Sequence, residues 1–137
     1  IIVDKSDRKL WLVRDGQKAE EFEVRLGQQP VGHKQKRGDL RTPEGKYFIE
    51  WRNEQSKFYR SFKISYPNKV DRAKAKLAMR DPGDNIFVHG TKNGLSKAKA
   101  ALAQEFDWTL GCIALKNVDI DYLWQVVEDG TPIHIHP

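Results

Sequence analysis

The chain has 137 residues, 24 Lys and Arg against 19 Asp and Glu, and a net charge of +5. That length fits one domain spanning 1–137, and 39% hydrophobic with 31% charged residues excludes a disordered or membrane-embedded composition. A single cysteine, Cys112, excludes an internal disulfide and a multi-cysteine zinc site; the thiol is either a buried structural group or a reactive one.

The first half reads as β-structure. Ile1–Val3 and Lys9–Val13 are apolar strands, and Asp15-Gly16 is a strong hairpin turn. Glu21–Leu26 alternates polar and apolar residues, the pattern of a half-buried return strand. A glycine-rich loop runs from Gly27 to Gly45 and holds the densest basic stretch, Gly32–Gly38. Tyr47–Trp51 and Phe62–Tyr66 are further strands. The second half mixes types. Asp71–Met79 reads as a short helix, Asp81–Asp84 as a turn, and Ile86–His89 as a buried strand that ends at Gly90. Ser96–Phe106 has an N-cap serine ahead of good helix formers. Gly111–Leu115 is a short apolar strand, and Asn117 reads as the N-cap of the next helix. There Ile120, Leu123, Trp124 and Val127 share one face. Gly130-Thr131-Pro132 ends that helix before a last strand, Ile133–His136. The sum is a β-rich α+β domain with two or three peripheral helices.

The longest apolar runs, such as Leu10–Val13, hold four residues, against about 20 for a spanning helix, so no transmembrane segment is expected. No signal peptide is visible. The chain opens at Ile1, inside a strand and without an initiator methionine, as a processed or trimmed product does. The positive charge suits an acidic partner, yet no nucleic-acid motif accompanies it, and nucleic acid is not expected to bind. His134 and His136 share a strand face, but no third ligand joins them; neither metal nor cofactor is expected.

Glycine before a nucleophile lets backbone amides approach a substrate carbonyl, and Gly111 precedes Cys112. A thiol attacks as thiolate and needs a base beside it. His89 is the candidate, because Gly90 after it places the imidazole at a strand mouth. Spacing alone leaves the Cys112/His89 pair open between catalysis and structure.

The ordered set Val88-His89-Gly90-Thr91, then Thr109-Leu110-Gly111-Cys112-Ile113, resembles the YkuD-type L,D-transpeptidase catalytic domain. Thr42-Pro43-Glu44-Gly45-Lys46-Tyr47 is similar to that family's Thr-Pro-x-Gly-x-aromatic segment. Ile64-Ser65-Tyr66-Pro67-Asn68, Asp81–Gly90 and Gly130–Ile133 are similar to its Gram-negative, YafK-like branch. The sequence departs at Leu110, where many members have His, and at Ala114, where many have Arg or Asn; Cys112 follows His89 by 23 positions, longer than in compact members.

The resemblance implies a YkuD-like fold, a mixed β-sandwich or barrel-like catalytic domain. It implies a cysteine-dependent transferase of the cell wall that attacks diaminopimelate-containing peptidoglycan stem peptides and forms a thioester. Cys112 is then the nucleophile and His89 its proton partner. Gly111 and Cys112, with Leu110 as a further candidate, supply the oxyanion amides, and the Gly90 carbonyl or the Thr109 hydroxyl orients the imidazole. Trp108 is placed either at the cleft wall or in the core. Tyr66 and Arg41 are placed either against substrate or in structure, and Asp107 at the end of the preceding helix. The alternatives are a cysteine hydrolase cutting peptidoglycan peptides or protein–peptidoglycan links, with a wall-linked protein as partner, and a non-catalytic wall-binding module. The implied location is the periplasm or cell envelope.

Overall fold

The computed structural model describes residues 1–137. Strands β1 (Ile2–Asp4), β2 (Lys9–Arg14) and β3 (Gln17–Glu23) form an antiparallel meander. Asp15 and Gly16 take φ of 52° and 76° between the paired Arg14 and Gln17. Two left-handed residues in a two-residue loop match the right-handed twist of a hairpin. That turn starts β3 at Gln17, earlier than the alternation at Glu21–Leu26 suggests. The strand also stops earlier, since Val24 and Leu26 turn into the core and Arg25 forms a lone bridge to Ala114.

Strand β4 (Gly45–Ser56) is the hinge of the sheet. Its first residues pair with β8 (Pro132–His136), and its remainder pairs with β5 (Tyr59–Ile64). Strand β6 (Phe87–His89) runs antiparallel to β5, and β7 (Ile113–Ala114) runs parallel to β6. The order is β3-β2-β1-β8-β4-β5-β6-β7 in one eight-stranded mixed sheet. The sheet is not closed; single bridges, Arg25–Ala114 and Gly27–Thr109, tie its two ends. Alternation puts Leu10 and Leu12, Tyr47 and Ile49, and Ile133 and Ile135 inward, as a strand period of two requires. They join Phe62, Val88 and Ile113 from the far half in one cluster of 19 buried residues. Each such side chain contributes roughly 1.5–3 kcal/mol by leaving water.

Three helices decorate the sheet. In α1 (Lys69–Leu77), Asn68 accepts from the Asp71 amide while Asp71 accepts from the Asn68 amide, a capping box. In α2 (Lys97–Leu102), Ser96 caps as its sequence suggests, but no residue is buried. With no face to hold it, the helix stops at Leu102, and turn hydrogen bonds at Gln104 and Glu105 replace the stretch toward Phe106. In α3 (Asn117–Val126), Ile120 and Leu123 are buried, as is Val127 just beyond, and Trp124 packs on Phe62. The N-cap is Lys116, not Asn117, because the Asn117 side chain is engaged elsewhere. None of the helices is long and apolar enough to cross a membrane.

Candidate active site

His89 ends β6 and Cys112 immediately precedes β7. The parallel register sets Val88 opposite Ile113 and His89 opposite Ala114, which brings Phe87 alongside Cys112. The Phe87 amide donates to Cys112 Sγ at 3.4 Å, and the thiol donates to the Asn85 carbonyl at 3.6 Å. His89 Nδ1 lies 2.6 Å from the Gly90 carbonyl. A carbonyl only accepts, so Nδ1 carries the proton and Nε2 offers its lone pair. The imidazole stacks on Phe58 at 4.5 Å and meets Trp108 at 5.7 Å. His89 and Cys112 line one cleft of about 390 Å³ with Asn53, Ser56, Phe58 and Asn85. No hydrogen bond joins the thiol directly to the imidazole.

Burial dominates the electrostatics of both groups. It lowers His89 to about 4, against the opposing pull of the Gly90 carbonyl. It raises the Cys112 thiol, while the Phe87 amide and the charges of Lys34 and Lys63 act the other way. At neutral pH the pair is a thiol beside an uncharged base, not a preformed thiolate–imidazolium pair.

The segment before the cysteine is held by Thr109. Its hydroxyl donates to the Cys112 carbonyl at 2.7 Å and accepts from the Gly111 amide at 3.1 Å. Gly111 has φ 140°, and a Cβ there would lie 2.8 Å from the Arg41 carbonyl oxygen, so no other residue fits. The Gly111 amide is therefore occupied, whereas the Cys112 and Leu110 amides have no partner in the chain. Asp107 does not end a helix. It accepts from Arg8 and from the Leu26 amide, which ties this segment to the opposite end of the sheet.

The structure brings Cys112, His89, Gly90, Thr109, Gly111 and Trp108 into one neighbourhood. Trp108 packs beside Phe58 and His89 with Nε1 buried and unpartnered. Tyr66 does not reach the cleft. It is buried edge-on to Tyr47, and its hydroxyl is spent on the Pro82 carbonyl at 2.6 Å. Arg41 reaches the segment of Cys112 only through its carbonyl; its side chain lines a separate polar hollow. The Thr109 hydroxyl serves the cysteine's backbone rather than the imidazole.

Sequence reasoning missed Asn117 and Phe58. Asn117 Oδ1 accepts from both the amide and the hydroxyl of Thr91, and a Cβ on Gly90 would lie 2.3 Å from it. It thereby fixes the Gly90 carbonyl that holds His89. Its capping-residue identity disguised that role, and only the close approach at Gly90 hints at it. No group of three or more His, Cys, Asp or Glu side chains lies close enough to hold a metal.

Residues 1–135 match the model of the YkuD family, the L,D-transpeptidase catalytic domain. YafK of Escherichia coli (strain K12) is 30% identical over 100 residues, which is 71% of this chain and 32% of YafK. The helical cell shape determining protein Pgp2 of Campylobacter jejuni superposes with a TM-score of 0.74 at 27% identity, over 99% of this chain and 46% of Pgp2. An L,D-transpeptidase from Mycobacterium smegmatis shares the fold at 12% identity, with a TM-score of 0.62, over 99% of this chain and 57% of its own. The chain thus spans about a third of YafK and under half of Pgp2. With strand-end His89 and Cys112 lining one cleft inside a match of that extent, the chain belongs to the YkuD family of L,D-transpeptidase catalytic domains.

Proposed function

We propose that the chain is a peptidoglycan L,D-transpeptidase in which Cys112 is the nucleophile and His89 the proton carrier. The observation that carries this reading is the shared cleft, with His89 Nδ1 tied to the Gly90 carbonyl and Nε2 left free. As the Cys112 sulfur bonds to a stem-peptide carbonyl carbon, its proton passes to Nε2. The Cys112 amide, with no partner of its own, faces the developing oxyanion, and the Leu110 amide is the second donor available. The C–N bond then breaks, and Nε2 returns the proton to the leaving amine, giving a thioester. An acceptor amine attacks the thioester and gives its proton to Nε2. The departing sulfur recovers that proton as the new amide is released.

The diaminopimelate-containing stem peptide is the proposed donor, which sets the site of action in the cell envelope. The name of Pgp2 adds control of cell shape as the proposed physiological outcome. A hydrolytic reading stands second. Leu110 is 71% exposed on the segment before Cys112 and offers an amine acceptor no side-chain hydrogen bond, which leaves water as a competitor. Muropeptide turnover with and without added amine separates the two: cross-linked product that grows with amine supports transfer, and release of the shortened peptide alone supports hydrolysis. Unchanged turnover by Cys112→Ala contradicts both.

A further inference from the structure

Beside the nucleophile's segment lies a polar groove that the chemistry above does not use. It consists of two hollows, about 450 and 290 Å³, which share Gln35 and Arg80. Arg41 and Lys36 line the first, and Lys74 lines the second. None of Lys36, Arg41, Lys74 and Arg80 forms an ion pair; Arg80 has only a neutral contact, donating to the Gln35 amide oxygen at 3.0 Å.

The two carboxylates in the groove are already saturated. Asp39 accepts from Lys34 Nζ and from the amides of Gln35, Lys36 and Arg41, and these donors hold it below the usual carboxylate range. Asp71 accepts from His33 Nε2, the Tyr47 hydroxyl and the Asn68 amide, and is lowered likewise. These acids shape the groove and leave four cations facing it without a counter-charge.

Lys36 and Arg41 sit on one loop, Lys74 on α1 and Arg80 just after it. Buried Lys5 donates to the carbonyls of Gly32 and Thr42 and to Glu44, joining the start of the basic stretch to the segment that follows Arg41. Gly32 makes room for Arg41, since a Cβ there would lie 3.2 Å from Nη1. The groove also meets the catalytic segments. The Arg41 carbonyl packs against Gly111, and Arg80 lies five positions before Asn85, whose carbonyl accepts from the Cys112 thiol.

We propose that this groove is a carboxylate-binding subsite for an acidic peptide, with Arg41 and Arg80 on the first hollow and Lys74 on the second. Guanidinium groups fit carboxylates in a two-point fork, and carboxylates spaced along a peptide match cations spaced along a groove. The identity of the peptide as a stem peptide rests on the transpeptidase reading; the groove itself does not.

The test is calorimetric binding to Cys112→Ala protein, so that turnover does not interfere. The probe is the synthetic tripeptide L-Ala-γ-D-Glu-diaminopimelate, compared with its fully amidated form. Arg41→Gln with Arg80→Gln is expected to weaken binding of the acid peptide about tenfold, as does moderate salt, because both remove or screen charge attraction. Lys97→Gln with Lys99→Gln, the same loss of charge on α2, is expected to leave binding unchanged, and melting curves check that each variant folds. Equal binding of the amidated peptide, indifference to the arginine changes, or tighter Arg80-dependent binding of a DNA oligonucleotide would overturn the proposal. If the groove binds and the wild-type enzyme forms no thioester, the transpeptidase reading fails and the subsite stands. If muropeptides turn over and the arginine variant binds as before, the subsite fails alone.

Discussion

Cys112 and His89 draw opposite consequences from the same burial: the thiol holds its proton and the imidazole refuses one. On the proposed mechanism the reaction needs neutral His89, and activity is expected to fall only as pH drops toward about 4. The sign for stability follows from linkage. The unfolded histidine takes up a proton near its ordinary 6.5 and the folded one near 4, so the unfolded state binds more protons between them. Stability is thus lost as pH falls from about 6.5 to about 4, by an amount on the order of 3 kcal/mol. Urea unfolding across that window checks it, and His89→Gln should flatten this part of the curve. Thr109→Ala removes a buried hydroxyl that serves both the Gly111 amide and the Cys112 carbonyl. A cost of about 1–3 kcal/mol is expected, with at least tenfold lower turnover, and Thr109→Ser should restore both. Gly111→Ala adds a Cβ at φ 140° against the Arg41 carbonyl, and is expected to lower both melting temperature and activity.

Elements whose signals are local were legible in the chain. The Asp15-Gly16 turn, the alternation in β2 and β8, and the Ile120–Leu123–Val127 face of α3 all read directly, because turn chemistry and strand or helix period act on neighbours. Elements set by distant contacts did not. The C-terminal end of β3 depends on Ala114 and Asp107, far along the chain. The early stop of α2 reflects its lack of a core-facing side, which composition does not reveal. Within the site, Cys112, His89 and their glycines were legible as a motif, whereas Asn117 and Phe58 act through contacts across 26 and 31 positions. Tyr66 stayed open between substrate contact and structure, because an aromatic at a strand end carries no mark of which way it faces. In α1 the capping box reached further than a helix end. Asn68→Ala should cost about 1 kcal/mol as a lost cap. Asp71→Ala should cost more, since it also strands Tyr47 and His33, and thermal melts of the two variants give the comparison.

At the scale of the whole molecule, β4 turns one sheet into two facing halves, and the chain after β3 returns to bridge β7. Strands β6 and β7, which place His89 and Cys112, are among the shortest, with three and two residues. Their placement is carried instead by the buried core behind them and by the Asp107 and Thr109 ties in front. The net charge of +5 is not spread evenly in its effect: Lys36, Arg41, Lys74 and Arg80, none of them ion-paired, line two adjoining hollows separate from the cleft of Cys112. The single cysteine, ambiguous by composition, is thus the one thiol in a cleft shared with a neutral imidazole, its own amide unpartnered. The most direct measurement is intact-protein and peptide mass spectrometry after rapid quenching with diaminopimelate-containing muropeptide at low pH. A mass increment equal to the acyl donor, mapped to Cys112, lost on hydroxylamine treatment and absent in His89→Ala, is the predicted result. Muropeptide turnover with Cys112 unmodified at every time point, or equal turnover by Cys112→Ala, would contradict the account.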